Sequence, residues 1–192
     1  MITREEFEEA RRRAAGLMRE AGLPLSDEEL ERIEVADFGL GRLEHEGAQI
    51  LTLVQTARFG VKLIALFPGQ SLPEHWHPPV GDDPGKEETV RMVSGRMFIY
   101  RTGPDTVTEG FVPAGKEGVY TLRSETVALP PDQCTFTPGE KHWFQGGPEG
   151  AVAFSFSTVA RDILDRFTDP AVERHTVIAD GPQTGHTRTE KK

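Results

Sequence analysis

The sequence has little cysteine, little positive charge and no long apolar run. Its one cysteine, Cys134, excludes an intrachain disulfide and suits a reducing cytosol. The 22 lysines and arginines are outnumbered by 31 aspartates and glutamates, and the net charge of −9 argues against binding to nucleic-acid phosphates. No apolar stretch approaches the roughly 20 residues that cross a bilayer. We therefore expect a cytoplasmic protein that binds neither nucleic acid nor membrane.

The N-terminal segment has the pattern of a helical cover. Thr3 and Glu6 form a capping box, and the run that follows predicts an amphipathic helix to about Ala21. A second capping signal at Ser26 predicts a brief helix to about Ile33. These helices are expected to pack against the main body or to serve as a dimer arm.

After residue 33 the pattern becomes that of short strands separated by Gly and Pro turns, which indicates an antiparallel sandwich or barrel. The predicted strands are Ile50–Val54, Val61–Phe67, Thr89–Val93, Met97–Tyr100, Val119–Leu122, Thr126–Leu129 and Ala151–Phe156. Arg161–Phe167 is predicted to form a last helical turn, and the polar tail Asp180–Lys192 is predicted to be mobile.

Two pairs of polar residues are spaced one residue apart between Gly69 and Gly95. His75 is separated from His77 by one residue, and Lys86 from Glu88 by one. Because alternate residues of a strand point to the same face, each pair can direct two side chains into one cavity. Imidazoles and a carboxylate on one face make a mixed N/O site for a divalent metal, and Mn, Fe, Co, Ni or Zn would suit it.

Lys86 is the candidate catalytic residue. If Glu88 faces a metal, strand alternation turns Lys86 inward, where it could pair with a substrate oxygen, donate a proton or stabilise an enolate. The alternative is a solvated loop lysine. The same alternation turns Arg91 away from the metal. Trp76 and Trp143 are expected to line the site or to pack in the core.

The spacing of these residues resembles the two signatures of the cupin superfamily. Gly69, His75, His77, Glu88 and Gly95 match the first, and the run from Pro138 to His142 resembles the second. The resemblance implies a mainly β protein, a double-stranded β-helix (jelly-roll) barrel, with a metal held by His75, His77, Glu88 and His142. The longer loop between His77 and Glu88 departs from the pattern, as does Thr137. The remaining histidines, His45, His175 and His186, have no partnered spacing and are expected to be ordinary residues.

Longer runs resemble one family, the D-lyxose isomerases: Pro73–His77, Gly85–Thr89, Pro138–Phe144 and Arg161–Pro170. Membership would imply a homodimeric, manganese-dependent aldose–ketose isomerase that interconverts D-lyxose and D-xylulose and often acts on D-mannose and D-fructose. From the pattern along the chain we predict one cupin domain over residues 1–192, with a helical cover (1–33), a barrel (34–170) and a C-terminal extension and tail (171–192).

One position departs from that family. Members tend to carry a glutamate thought to transfer protons two residues before the Ser-Thr of the last strand, whereas this chain has Ser155. A serine hydroxyl cannot act as a carboxylate base near neutral pH. Glu44, Glu46 or Asp162 could take its place; otherwise activity is low or the substrate differs. The alternatives are a sugar-binding cupin without turnover and an Fe-dependent cupin dioxygenase.

Overall fold

The computed structural model of the chain describes residues 1–158 and 162–179. Two helices lie near the N-terminus, α1 (Arg4–Glu20) and α2 (Asp27–Glu31), and a short 3₁₀ turn spans Asp162–Leu164. The strands are β1 (Ile2–Thr3), β2 (Glu34–Ala36), β3 (Ala48–Gln55), β4 (Phe59–Leu66), β5 (Ser71–Trp76), β6 (Glu88–Arg101), β7 (Ser124–Ala128), β8 (Gln133–Phe136), β9 (His142–Thr158), β10 (Arg166–Phe167) and β11 (Ile178–Ala179).

The long strands β6 and β9 curl one sheet into two facing layers. They pair antiparallel along most of their length. The C-terminal half of β9 continues through β4 and β3 to β2, whereas its N-terminal half pairs with β5, which in turn pairs with β10. Strands β7 and β8 extend the other edge of β6. The result is the double-stranded β-helix of the cupins, as predicted.

A glycine allows β6 to bend between the layers. The β6–β9 register shifts on either side of Gly95, which has a φ of 70°. A Cβ atom there would overlap the Gly150 carbonyl group. Such bulges bend a strand and increase its twist, so both ends of β6 can contribute to one interior.

Alternation along the strands separates an inner core from two outer ones. The inner core lies between the layers and includes Ile64, Leu72, Val90 and Phe144. A second core lies where α1 and α2 pack on the outer face of β3 and β4. A third contains Tyr100, Tyr120 and Trp143 on the outer face of the other layer.

Both helix predictions are confirmed. Thr3 and Glu6 form a reciprocal capping box at α1, and Ser26 and Glu29 form another at α2. Neither helix in the described part of the chain has the length and apolarity to cross a membrane.

Several strand predictions need correction. Residues 119–122 form no strand, because the buried Glu74 carboxylate accepts hydrogen bonds from the backbone N–H groups of Thr121 and Leu122 and holds them as a loop. The segments predicted as two strands at Thr89–Val93 and Met97–Tyr100 are one strand, β6. Of the predicted turn Arg161–Phe167, Asp162–Leu164 is helical but Arg166–Phe167 is a strand. Arg161 and the tail Asp180–Lys192 lie outside the described residues.

Candidate metal centre

The residues predicted as metal ligands meet at one buried point. His75 lies on β5, Glu88 begins β6, His142 begins β9, and His77 follows the end of β5. One ligand atom from each lies within 4.8 Å of the other three, and all four side chains are buried. We call these four residues the imidazole cluster. Strands that are distant in sequence bring them together: His75 on β5 pairs directly with His142, whereas Glu88 lies opposite Ser157 at the other end of β9 and reaches the cluster because the sheet curls.

Hydrogen bonds at the outer nitrogens fix how the imidazoles point. The Nδ1 atoms of His75 and His142 lie 2.8 and 2.9 Å from the carbonyl oxygens of Pro73 and Glu140. A carbonyl oxygen only accepts, so Nδ1 carries the proton and Nε2 keeps its lone pair. The His142 Nε2 atom is buried with no hydrogen-bond partner. This tautomer is the one that a metal-ligating histidine needs.

His77 lies between two carboxylates. Its Nδ1 is 2.6 Å from Asp165 Oδ1 and its Nε2 is 3.0 Å from Glu88 Oε2. Burial opposes the imidazolium charge, but these two hydrogen bonds outweigh it and raise the pKa of His77. A metal bound at Nε2 would replace that proton, as metal ligation commonly does.

The other cluster members have pKa values suited to ligands. Burial, together with the neighbouring histidines, lowers the pKa of His75 well below its usual value. Burial lowers the pKa of His142 to about 3. Burial favours the neutral form of Glu88, but Lys86 and His77 outweigh it and hold its pKa well below the usual range. Two neutral imidazoles and an ionised carboxylate could hold a divalent metal.

Lys86 faces the cluster, although not for the reason that strand alternation gave. β6 begins only at Glu88, so Lys86 lies on the preceding loop. Gly85 turns that loop with a φ of 91°, where a Cβ atom would lie 2.6 Å from the His77 carbonyl oxygen. The Lys86 Nζ atom is 3.4 Å from Glu88 Oε2 and 3.8 Å from Asp162 Oδ1. Burial opposes its charge, but Glu88, Asp165 and Asp162 outweigh burial and raise its pKa.

A cavity of about 460 Å³, including its open mouth, adjoins the cluster. Its lining combines apolar and charged side chains, which suits a ligand that has both C–H and hydroxyl groups. The apolar lining residues are Phe38, Ile50, Ile64, Leu72, Phe144 and Phe167, and the polar ones are Lys62, His75, Lys86, Glu88, Asp162, Asp165 and Arg174.

Of the three acids suggested to replace the glutamate at position 155, only Asp162 lines this cavity. Ser155 donates a hydrogen bond to Glu88 Oε1. Glu44 is exposed on the surface, where it pairs with Arg13. Glu46 is fully buried elsewhere. It belongs to what we call the Glu46 network, formed by Arg42, Glu46, Lys116, Tyr120 and Asp169.

Sequence reasoning missed Lys62, Asp165 and Arg174. A lysine inside the apolar run Val61–Phe67 was a usable signal, because lysines are almost never buried without a partner. Asp165 lies within the family-like run after β9, but no spacing linked it to His77. Arg174 gave no such signal.

The remaining predictions concern residues around the site. Arg91 points away and bonds Gln133, as expected. Trp143 is buried and stacks on Tyr100 in the third core, and the Trp76 ring lies under the Lys141 ammonium group. His45 and His175 are not part of the imidazole cluster. His186 lies outside the described residues.

The fold and the site together define a class: a cupin-type β-barrel whose buried cluster could hold a divalent metal beside a small polar cavity. No protein-family model matches the chain. A D-lyxose ketol-isomerase from Cohnella laeviribosi is 52% identical over 174 residues, which cover 90% of this chain and 96% of that protein. A D-lyxose/D-mannose isomerase from Thermosediminibacter oceani is 41% identical over 181 residues, 94% of this chain and 100% of that protein.

Solved structures agree on the fold. The L-ribose isomerase of Acinetobacter sp. DL28 in complex with L-ribose superposes with a TM-score of 0.75 at 18% identity, covering 93% of this chain and 98% of that chain. The L-ribose isomerase of Cellulomonas parahominis gives a TM-score of 0.73 at 20% identity, covering 94% and 98%. The close sequence relatives are decisive: the chain belongs to the D-lyxose isomerase family and is a sugar isomerase.

Proposed function

We propose that the protein interconverts D-lyxose and D-xylulose, with D-mannose and D-fructose as a second pair. The observation that carries this proposal is the convergence of unprotonated imidazole nitrogens and Glu88 on a cavity that also holds Lys86 and Asp162. The relatives named for these sugars cover nearly the whole chain, which supports the choice of substrates.

His75, His77, Glu88 and His142 would hold a divalent cation, for which we propose Mn²⁺. The unpartnered His142 Nε2 atom supports this assignment, since a buried nitrogen without a partner is costly unless something binds it. Mixed imidazole and carboxylate ligands suit manganese, although iron, cobalt, nickel and zinc are also compatible. When bound, the cation polarises the sugar carbonyl and acidifies the neighbouring C–H group.

Lys86 serves in this scheme as a cation and not as a base. Its raised pKa keeps it protonated near neutral pH. It therefore donates a hydrogen bond to the sugar oxygen on which negative charge develops, the role that preorganised donors fill in other enzymes.

Asp162 moves the proton between carbons. Its carboxylate takes the proton from C2 of the open-chain aldose and returns it to C1, while a proton passes from O2 to O1 through an enediol. The C2–H bond breaks, a C1–H bond forms, and the reaction consumes no oxidant. Burial opposes ionisation of Asp162, but Lys62 and Lys86 outweigh it and lower its pKa, so the carboxylate is ionised at neutral pH.

Removal and restoration of metal test the proposal. Chelator should abolish conversion of D-lyxose to D-xylulose, followed by chromatography, and added Mn²⁺ should restore it. Failure to convert any pentose or hexose at full metal occupancy would reject the proposal. Tight sugar binding without product would then favour the non-catalytic alternative, and oxygen uptake with bound iron would favour a dioxygenase.

We further propose that the protein is a homodimer, as the family resemblance implies, and that it is cytoplasmic, which its single cysteine supports. Light scattering coupled to size-exclusion chromatography tests the oligomeric state. A mass near twice 21.3 kDa would agree with a dimer, and a mass near 21.3 kDa would contradict it.

A further inference from the structure

Lys62 is a buried charge whose effect in the scheme above is only to lower the pKa of Asp162. It lies in the middle of β4, where its side chain points into the cavity between apolar neighbours and is only 11% exposed. Across the sheet it is directly opposite Ser155, which has no charge to offer it. A lysine buried to this degree needs a partner from elsewhere.

That partner is Asp162. The Lys62 Nζ atom donates to Asp162 Oδ2, across 100 positions of sequence. Within the described residues, no other carboxylate lies within ion-pair distance of Lys62. The two other cations beside Asp162 are shared with other acids, since Lys86 also contacts Glu88, and Arg174 bonds Glu34 at 2.6 Å but Asp162 only at 3.5 Å.

The contacts divide the two oxygens of the carboxylate. Oδ2 is bound by Lys62 and approached by Arg174, whereas Oδ1 lies 3.8 Å from Lys86 Nζ, and both Asp162 and Lys86 line the cavity. A carboxylate bound at one oxygen by a side chain from a rigid strand has a fixed orientation, because the torsion that would swing the other oxygen away is blocked. Since Asp162 lies on a three-residue 3₁₀ turn and not on the sheet, that orientation depends on a contact from outside its own segment.

We propose that Lys62 is a positioning residue: it anchors Asp162 Oδ2 and thereby directs Oδ1 at the sugar carbon that exchanges its proton. Because β9 carries Ser155 in place of a carboxylate, proton transfer in this chain depends on the pair formed by Lys62 and Asp162. The inference rests on the proposed isomerase function, in which Asp162 is the base.

A double-mutant cycle tests this coupling. Lys62→Met should lower kcat about 10- to 100-fold, because misplacing a reacting group by about 1 Å can cost on the order of 100-fold. Lys62→Arg should recover most of the loss. In an Asp162→Asn background, Lys62→Met should lower kcat less than about twofold further, since residues that act through one group are not additive. Equal losses from Lys62→Met in both backgrounds would overturn the proposal.

The pH profile separates positioning from a merely structural role. Loss of the nearest cation should move the acidic limb of kcat about one unit to higher pH, the lower end of what a neighbouring opposite charge does to an aspartate. The groups facing Asp162 are Lys62 from β4, Lys86 from the loop before β6, and Arg174 with its partner Glu34. Lys116→Met, which removes a buried lysine from the Glu46 network, should leave the limb in place. An unmoved limb in Lys62→Met would contradict the proposal.

Crystal structures give a test that needs no turnover. In the Zn²⁺-loaded Lys62→Met protein, or Lys62→Gln if the first is insoluble, Asp162 Oδ1 should leave the cavity, and in Lys62→Arg it should stay. An unmoved Oδ1 without Lys62 would refute the inference, whatever the activity. If the wild-type protein converts no sugar but Oδ1 moves as expected, the isomerase proposal fails while the anchoring of Asp162 stands.

Discussion

The imidazole cluster and the Glu46 network both bury charge, yet they differ in what that charge can do. In the Glu46 network each buried acid has a cationic or hydroxyl partner: Glu46 accepts from the Tyr120 hydroxyl group, and Lys116 Nζ lies 2.6 Å from Asp169 Oδ2. In the imidazole cluster, His142 Nε2 has no partner, and a cavity adjoins. Glu46 Oε2 also has no hydrogen bond, but it lies 3.1 Å from Arg42 Nη1 and 3.7 Å from Lys116 Nζ. Neither buried charge nor one unsatisfied atom therefore identifies a site, whereas several metal-ligating atoms that converge beside a cavity do.

The largest effect is expected from replacing a proposed metal ligand. Replacing His142 with Gln should lower metal affinity at least about 100-fold, because even loss of the partners behind metal ligands costs about 10- to 100-fold. Isomerase activity at limiting Mn²⁺ should disappear with it. Metal titration by calorimetry measures the affinity. The substitution also removes the Nδ1 hydrogen bond to Glu140 and the ring contact with Phe136, so the Tm of the metal-free protein should fall, but the rise in Tm on adding metal should disappear. A full rise in the variant would contradict the ligand role of His142.

The next largest effect is a loss of turnover on replacing the buried Lys86, with the buried Lys116 as the control. Lys86→Met should lower kcat about 100- to 1000-fold, the cost of removing one preorganised donor. Steady-state kinetics with metal-saturated protein measures this loss. The matched control is Lys116→Met, which should leave kcat intact. That variant should instead lower the free energy of unfolding by up to about 3–5 kcal/mol, because it leaves buried carboxylates without their cationic partner.

Unchanged turnover in Lys86→Met would remove that residue from the mechanism. A kcat loss in Lys116→Met would mean that the two buried regions are coupled.

A smaller effect is expected from Tyr120→Phe. It removes one hydroxyl donor from fully buried Glu46, so the free energy of unfolding should fall by about 1–3 kcal/mol. Urea unfolding measures the change, and kcat should stay at the wild-type value. If stability is unchanged, the Glu46 network is not a stabilising element and the contrast with the imidazole cluster weakens.

The smallest effect is a dependence of stability on pH. Burial opposes ionisation of Asp169, but hydrogen bonds from Lys116 and the Ala171 N–H group outweigh it and lower its pKa. The stability it contributes is fully present above the unfolded-state pKa, about 3.9, and is lost as pH falls through the lower folded value. The Tm difference between metal-free wild type and Asp169→Asn should therefore shrink between about pH 5 and pH 3. A constant difference would contradict this assignment.

A residue's role could be predicted from the sequence when its partners lie close to it along the chain or at a recognisable spacing. His75, His77, Glu88 and His142 lie at recognisable spacings on strands or directly beside one, and the structure brings all four together. The capping boxes of both helices were equally readable, since each involves only four residues.

Contacts between residues that are far apart in the sequence could not be predicted from it. The loop at residues 119–122 has strand-like composition, but its backbone bonds a carboxylate on distant β5. Lys62 and Asp162 are 100 positions apart, and His77 and Asp165 are 88 apart, so no spacing rule connects them. Their pairing follows from the closure of the barrel and from the path of the chain after β9.

The short strand β10 has a consequence for how such a site can evolve. The imidazole cluster comes from β5, β6 and β9, whereas Asp162, Asp165 and Phe167 come from one short stretch that β10 fastens beside His75. The proposed metal ligands and the proposed proton-transfer residue are thus encoded in separate parts of the gene, joined by the hydrogen bond between Asp165 and His77. Changes elsewhere in that stretch could retune which carbohydrate is accepted as long as Asp162 and Asp165 are kept.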